Sequence, residues 1–437
     1  MKLWIRNAMI VTMEDGDTPF TGDVTVAGDT ITGIYPKEAV AEQQLSIQSF
    51  DRIIDAKGMI LMPGFINAHQ HSPMNLLKGF SDDLKLMDWL EQKIFPAEAR
   101  MTAEDIYWGS KLSMAEMIRS GTTTFADMYI HMNDIANAVQ ETGMRASLTR
   151  GLVFIDDQAQ QRLTEAVDLV ETWQGAAEGR ITTMFGPHSP YLCAPEPLRH
   201  VMELAKQYNR PIHIHLAETK EEMAIMSERY NQTPTQYLYE LGLFDHSHVL
   251  LAHGVHVDRE DIHLLHGMRG GVSHNPISNL KLGCGIAPVT ELQQRDITVG
   301  LGTDGAGSAT TLDMFASVRA ATWLQKLHYG DPTALPAYQA LQMATINSAK
   351  LLQIDHETGS LQVGKKADMI LIDLDKPHLQ PVHEPISLLT YAAQGSDVHT
   401  TIVNGHILMD NRELVTIDEQ RVLQEGRERA HRIVQGL

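Results

Sequence analysis

Cysteine is almost absent. Only Cys193 and Cys284 stand in a chain of 437 residues. Two thiols cannot make a disulfide framework, and they suit a reducing compartment. Long hydrophobic runs are missing too. No stretch approaches 18 consecutive apolar residues, so no transmembrane helix and no membrane partner are expected. The opening MKLWIRNAMIVTMEDGD has two early basic residues but no sustained apolar core with a small-residue cleavage site behind it. A secretory leader is therefore not expected, and a cytoplasmic location is. Positive charge is scarce: 35 Lys and Arg against 55 Asp and Glu leave a net charge of −20. Such a surface repels phosphate backbones and excludes long nucleic acid as a partner, but it accepts a neutral or zwitterionic small molecule. Low-complexity tracts and fixed-period repeats are lacking. An apolar content of 43% places the chain among globular proteins, away from disordered and collagen-like ones.

What the chain does contain is an alternation. Short apolar runs fall at 59–66, 123–128, 147–153, 181–186, 211–216, 249–252, 271–273 and 297–301. Amphipathic stretches lie between most of them, at 103–120, 163–173, 196–207, 221–228 and 235–241. Continuous apolar strands alternating with helices indicate a parallel sheet covered on both faces. Eight such units predict an α/β fold, a closed (β/α)8 TIM barrel. An extra segment, 72–100, follows the first strand. The two chain ends read as short strands at 2–12, 23–27, 30–34, 367–373 and 400–408, the last crossing the turn pair Asn404-Gly405. Neither end can enclose a core alone. Together they are expected to build a flanking β-sandwich, with residues 1–57 as its first part, 58–365 as the barrel, and 366–437 as its second part with a C-terminal helix.

Chemistry is suggested by where the polar residues sit, because barrels of this kind carry their active sites at the C-terminal ends of the strands. The expected strand ends bear His69 and His71, His188, His213 and His215 with Glu218 just beyond, His253, His274 and Asp304. His69 and His71 are two apart on a strand, so both imidazoles face one side. His215 could add a third nitrogen and Asp304 a carboxylate oxygen. Such a set without thiolate suits one divalent ion, Zn²⁺ first, with Fe²⁺ or Mn²⁺ as alternatives. A single buried histidine is more often a packing residue, but a whole set gathered at strand ends is poorly explained that way. His200, His246, His248, His256, His263 and His266 lie elsewhere and are expected at the surface or in packing. His213 is expected chiefly to pack, His274 to anchor a loop or touch substrate, and the two cysteines to be inert.

The motifs PGFINAHQH, HIHLAE, AHGVH, SHNPISNLKLG and GLGTDGAGS occur in that order. They resemble the amidohydrolase superfamily, and more narrowly the 5′-methylthioadenosine/S-adenosylhomocysteine deaminases, kin of the triazine and guanine hydrolases. The resemblance spans essentially the whole chain. It implies a mononuclear metal site held by His69, His71, His215 and Asp304. Where binuclear members carry a carbamylated lysine, at the end of the fourth strand, this chain has His188. The reaction implied is hydrolytic deamination of an adenine nucleoside to the 6-oxo product and ammonia. For that chemistry Glu218 is placed to protonate ring nitrogen 1 and then the leaving amine. Asp304 can take the proton of water, and His253 can orient the attacking oxygen. In the insert the resemblance implies that Trp89 packs on the nucleoside and Glu98 holds ribose hydroxyls. Arg150 is expected to reach a carboxylate tail or Glu98, His188 the purine edge or a ribose oxygen, and Ser308 the pocket. A chloro-triazine hydrolase or a guanine-type deaminase is the alternative reading, and a non-catalytic scaffold a remote one. The expected partner is a small nucleoside. The sequence leaves open whether the chain forms a homo-oligomer.

Overall fold

The computed structural model of the chain describes residues 1–40, 46–154 and 159–437. β1 (Lys2–Ile10), β2 (Phe20–Ala27) and β3 (Thr30–Pro36) form an antiparallel meander. β4 (Arg52–Asp55) and β5 (Met59–Pro63) run parallel to β1. Eight strands then line up in chain order as one parallel sheet. They are β6 (Phe65–Gln70), β7 (Thr122–Tyr129), β8 (Arg145–Leu152), β9 (Ile181–Pro187), β10 (Ile212–Leu216), β11 (His248–His253), β12 (Arg269–His274) and β13 (Thr298–Leu301). The chain returns through β14 (Met369–Asp373), β15 (Val398–Val403), β16 (His406–Asp410) and β17 (Glu413–Leu414). These join the first five strands in one mixed sheet of nine, with β14 antiparallel to β5. Leu3, Ile5, Val26, Leu61, Leu371 and Ile402 belong to a core of its own. β15 and β16 meet at Asn404 and Gly405, which both have positive φ (52° and 73°), as the turn pair requires.

The expected helices form over Ala103–Arg119, Ala159–Trp173, Pro195–Tyr208, Lys220–Tyr230 and Pro234–Glu240. Thr102, Thr219 and Thr233 cap three of them, each accepting a backbone N–H of the first turn. No helix among the described residues is long and apolar enough to cross a membrane.

One expected strand divides in two. The run 59–66 reads as a single apolar strand, yet Met59–Pro63 belongs to the terminal sheet and only Phe65 onward to the barrel. The hydrogen bonds switch sides at this point. Gly64 N bonds Asp368 O at 3.1 Å, and Phe65 N bonds Gly121 O at 3.0 Å.

The barrel closes between β6 and the residues after β13. Asp304 N donates to His69 O at 2.9 Å, and Thr303 N to the Asn67 side-chain oxygen at 2.9 Å. Gly302 permits this approach, since a Cβ there would lie 2.9 Å from His69 N and 2.4 Å from Asn275 Oδ1. Closure therefore carries Asp304 to His69 on β6 and His71 just beyond it. Inside, Ile66, Ala126, Met184 and Leu250 pack in one cluster with Ala349 and Leu351 of helix Ile346–Leu351.

A buried ion pair joins the two sheets. Arg145 on β8 donates through Nε to Asp368 Oδ2 at 2.7 Å, and both side chains are almost wholly enclosed. Removing one partner of such a pair strands the other charge, at a cost of about 3–5 kcal/mol. Asp368→Ala is thus expected to lower the unfolding free energy by about 3 kcal/mol in denaturant titration. A loss below about 1 kcal/mol would show that the pair does not hold the sheets together.

Candidate metal centre and active-site cleft

The strand ends converge as expected. His69, His71 and His215 each offer a ligand atom within 4.8 Å of the others, and so do His69, His253 and Asp304. Asp304 Oδ1 lies 3.3 Å from His71 Nε2 and 3.5 Å from His69 Nε2. Backbone carbonyls fix the tautomers. His71 Nδ1 meets Met128 O at 2.6 Å, and His215 Nδ1 meets His188 O at 2.8 Å. A carbonyl only accepts, so both Nδ1 atoms carry the proton and both Nε2 lone pairs are free for a ligand. His69 Nδ1 meets His213 Nε2 at 2.8 Å, while His69 Nε2 is buried with no hydrogen-bond partner. An orphaned nitrogen at the centre of such a set fits a metal ligand.

Electrostatics point the same way. Burial lowers His69 to about 3 and takes His215 well below the usual imidazole value, so both are neutral at pH 7. Burial alone would raise Asp304. The facing rings of His69, His71 and His253 outweigh it and hold the carboxyl well below the usual range. Neutral imidazoles and an ionised carboxylate are the protonation states that a divalent cation requires. Asp304 Oδ2 accepts from Ser278 at 2.6 Å, and Gly305 N donates to Oδ1 at 2.7 Å. Asp304 (φ 65°), His253 (φ 76°) and Ala217 (φ 49°) all sit in the left-handed region. Such strain persists only where the surroundings enforce it, and it clusters at functional sites.

A cleft of about 390 Å³ opens above this group. His71, His188, His215, Glu218, His253 and Asp304 line its floor, and Trp89, Phe95, Glu98 and Tyr129 line its far wall. Glu218 Oε1 lies 3.7 Å from His253 Nδ1. Burial, helped by the nearby Asp304 charge, pushes Glu218 up to about 8, against the opposing effect of His71. His253 Nδ1 also meets Asn279 Oδ1 at 2.9 Å. His188 stacks on His215 with ring centres 4.6 Å apart, and burial lowers it to about 4. Trp89 is buried and donates its indole N–H to Ser81 O at 3.1 Å. Glu98 accepts from the Tyr129 hydroxyl at 2.5 Å, and burial raises its pKa.

A family model described as the amidohydrolase family matches residues 60–408. The chain belongs to the amidohydrolase family. It is 47% identical over 431 residues to a 5-methylthioadenosine/S-adenosylhomocysteine deaminase of Pelotomaculum thermopropionicum, covering 98% of each chain. It is 46% identical over 433 residues to a 5′-deoxyadenosine deaminase of Methanosarcina mazei, again over 98% of each. Among solved structures, an adenosine deaminase from Xanthomonas campestris with bound zinc superposes with a TM-score of 0.93 at 34% identity. The match covers 99% of this chain and 98% of that one.

Two expected pocket groups of this amidohydrolase line the cleft and also bond to neighbouring protein groups. Arg150 lines the cleft, but its Nε donates to Glu165 at 2.7 Å and its Nη1 to Gly151 O at 2.6 Å, not to Glu98. Ser308 also lines the cleft, and its hydroxyl donates to Asp304 Oδ2 at 3.0 Å. His213, expected chiefly to pack, bonds His69. His274 is fully buried with neither ring nitrogen partnered, and it is not part of the cleft wall. Burial pushes the Cys193 thiol up to about 12 and raises Cys284 as well, which makes poor nucleophiles of both.

Other supporting residues escaped the sequence reading. Ser278 and Asn279 lie within SHNPISNLKLG and brace Asp304 and His253. Tyr129 ends β7 and holds Glu98. The Glu222 carboxylate accepts from Ala217 N and Glu218 N, both at 2.9 Å, and pins the turn that presents Glu218. Thr219-Lys220-Glu221-Glu222 has the capping-box spacing, a signal that could have singled out Glu222.

Proposed function

We propose that the chain catalyses the hydrolytic deamination of adenine nucleosides, 5′-methylthioadenosine and S-adenosylhomocysteine first, to the 6-oxo product and ammonia. The observation that carries this reading is Glu218, a carboxyl buried beside Asp304 and His253 on the cleft floor, where burial raises its pKa to about 8. Displacing an amine from an aromatic carbon needs a proton donor there. The names of the relatives from Pelotomaculum and Methanosarcina support the same chemistry and an adenine nucleoside as substrate.

His69, His71, His215 and Asp304 hold one divalent ion in this reading. Three nitrogens and one oxygen without thiolate favour zinc, which the Xanthomonas neighbour binds. The ion supplies Lewis acidity toward the attacking water. Glu218 delivers a proton to ring nitrogen 1, which makes carbon 6 electrophilic. Asp304 takes a proton from the water as oxygen attacks carbon 6. His253, its Nδ1 held by Asn279, directs Nε2 at the attacking oxygen. Glu218, ionised by that first transfer, takes the remaining proton of the attached oxygen and passes it to the departing amine as the carbon–nitrogen bond breaks, and the proton on Asp304 then returns to Glu218. At the far wall Trp89 packs on the nucleoside, Glu98 accepts from the ribose hydroxyls, and His188 meets the purine or ribose edge. The buried free thiols suit the reducing cytoplasm, where we place the enzyme.

The test is ultraviolet absorbance of the zinc-loaded protein with 5′-methylthioadenosine, S-adenosylhomocysteine, adenosine and guanine in parallel. The first two are expected to shift toward the hypoxanthine spectrum with release of ammonia. Loaded protein that is silent on all three adenine nucleosides would overturn the reading. Glu98→Ala is expected to lower kcat/KM for nucleosides by roughly 10²-fold while sparing free adenine. Equal losses on both would remove Glu98 from ribose recognition.

A further inference from the structure

The turn that presents Glu98 is tied from outside to the last helix of the chain. Glu98 closes the short helix Phe95–Glu98. The backbone then turns tightly, with Arg100 N bonding Ala97 O at 3.0 Å and Met101 N bonding Glu98 O at 2.9 Å. The Arg100 side chain runs away from the cleft. Its Nη1 donates to Ile433 O at 3.2 Å and to Gln435 O at 2.8 Å. Both carbonyls lie at the C-terminal end of helix Glu419–Val434. Carbonyls there lack helical donors, and the negative end of the helix dipole favours a cation.

A second fastening follows. Asp105 is fully buried and accepts from Thr102 N and Thr102 Oγ1, both at 2.7 Å, which closes the cap of helix Ala103–Arg119. The same carboxylate accepts from Arg429 at 3.0 Å and from Arg432, both on the last helix. Three arginines thus bracket the turn 98–105 against one helix. The segment ahead of the turn needs such anchoring. Leu90–Ile94 is a π-helical turn between two four-residue helical pieces. Pieces this short have little helical stability of their own, and single π turns recur at functional sites.

We propose that Arg100 is a positioning residue for nucleoside recognition. By tying the turn behind Glu98 to the carbonyl end of the last helix, it holds the Glu98 carboxylate against the ribose hydroxyls. The proposal rests on Glu98 as the ribose reader. Arg100 is itself exposed, so its removal leaves the core packing intact.

The test compares Arg100→Ala, Arg100→Lys, Glu98→Ala and the Arg100→Ala/Glu98→Ala double variant in the full, zinc-loaded chain. The substrates are 5′-methylthioadenosine and its 2′,3′-dideoxy analogue, which lacks the hydroxyls in question. Arg100→Ala is expected to raise KM for 5′-methylthioadenosine roughly five- to tenfold, with kcat within about twofold. Its kcat/KM on the dideoxy analogue is expected to stay within about twofold of the parent. Arg100→Lys, which keeps a donor for one carbonyl, restores most of the loss. The double variant is no worse than Glu98→Ala alone, because both act through one contact. Hydrogen exchange over 86–98 quickens in Arg100→Ala. If Glu98→Ala discriminates between the two substrates while Arg100→Ala leaves both KM values unchanged, the proposal fails and the ribose reading stands. If Glu98→Ala harms both substrates equally, the ribose reading fails and takes the proposal with it. A fall in kcat on both substrates that Arg100→Lys does not repair would mark a purely structural role and would also overturn it.

Discussion

Asp304→Asn is expected to lower kcat by about 10³-fold or more and to release the metal to a chelator that the parent protein resists. The substitution is informative because it alters little else. Asn has the shape of Asp and tolerates the left-handed conformation (φ 65°) found at this position. The backbone bond from residue 304 to His69 O, which helps close the barrel, is therefore kept. What disappears is the charge 3.3 Å from His71 Nε2 and 3.5 Å from His69 Nε2. An amide nitrogen in its place can donate to one of those imidazoles but then faces the Gly305 N–H that Oδ1 accepts, so each protein is compared with its own metal-free form. Melting with and without zinc separates the two effects. The parent melts higher with the ion, since binding only the folded state stabilises it. The variant is expected to melt at the same temperature in both conditions. Metal retained at full stoichiometry, with turnover within about tenfold of the parent, would remove Asp304 from both of its roles.

The barrel was legible because its strands are covered on both faces and read as unbroken apolar runs. The same property hid the crossing at Gly64. MILMPGFI is apolar on either side of it, and the partner that claims Met59–Pro63 is β14, far along the chain. Pairing of that kind carries no local signal. The site divides in the same manner. His69, His71, His215, His253 and Asp304 could be found because ligand chemistry is confined to few residue types, and these stand at strand ends. Ser278, Asn279 and His213 act by holding other side chains. A hydroxyl or amide in that role looks like any loop residue until its partner's position is known. Arg150 shows the same limit. It lines the cleft, where a substrate contact is expected, and Glu165 on the neighbouring helix takes its Nε, a pairing set by how that helix packs on β8.

Glu218→Gln is expected to reduce kcat by about 10²–10⁴-fold while leaving metal content and nucleoside binding near normal. Gln preserves the volume, and its amide can donate a hydrogen bond to ring nitrogen 1. It cannot give up a proton and take one back. The turn is held independently, because Glu222 grips the N–H groups of Ala217 and Glu218 and the side chain of 218 plays no part in that grip. A loss confined to kcat therefore reports proton transfer, whereas a matching rise in KM would report lost binding. The pH profile gives a second reading. Burial and the Asp304 charge raise Glu218 to about 8, so its donor form dominates at pH 7 and is lost as pH rises through that value. A divalent cation next to Asp304 favours the ionised carboxylate and draws the value downward. The alkaline limb of kcat/KM in the loaded enzyme is thus expected at or below about pH 8, with activity falling as pH rises. In Glu218→Gln the residual rate lacks that limb, since an amide does not titrate. Near-parent turnover in the variant, or an unchanged alkaline limb, would assign the proton to another group, and His253, 3.7 Å away, would be the next candidate.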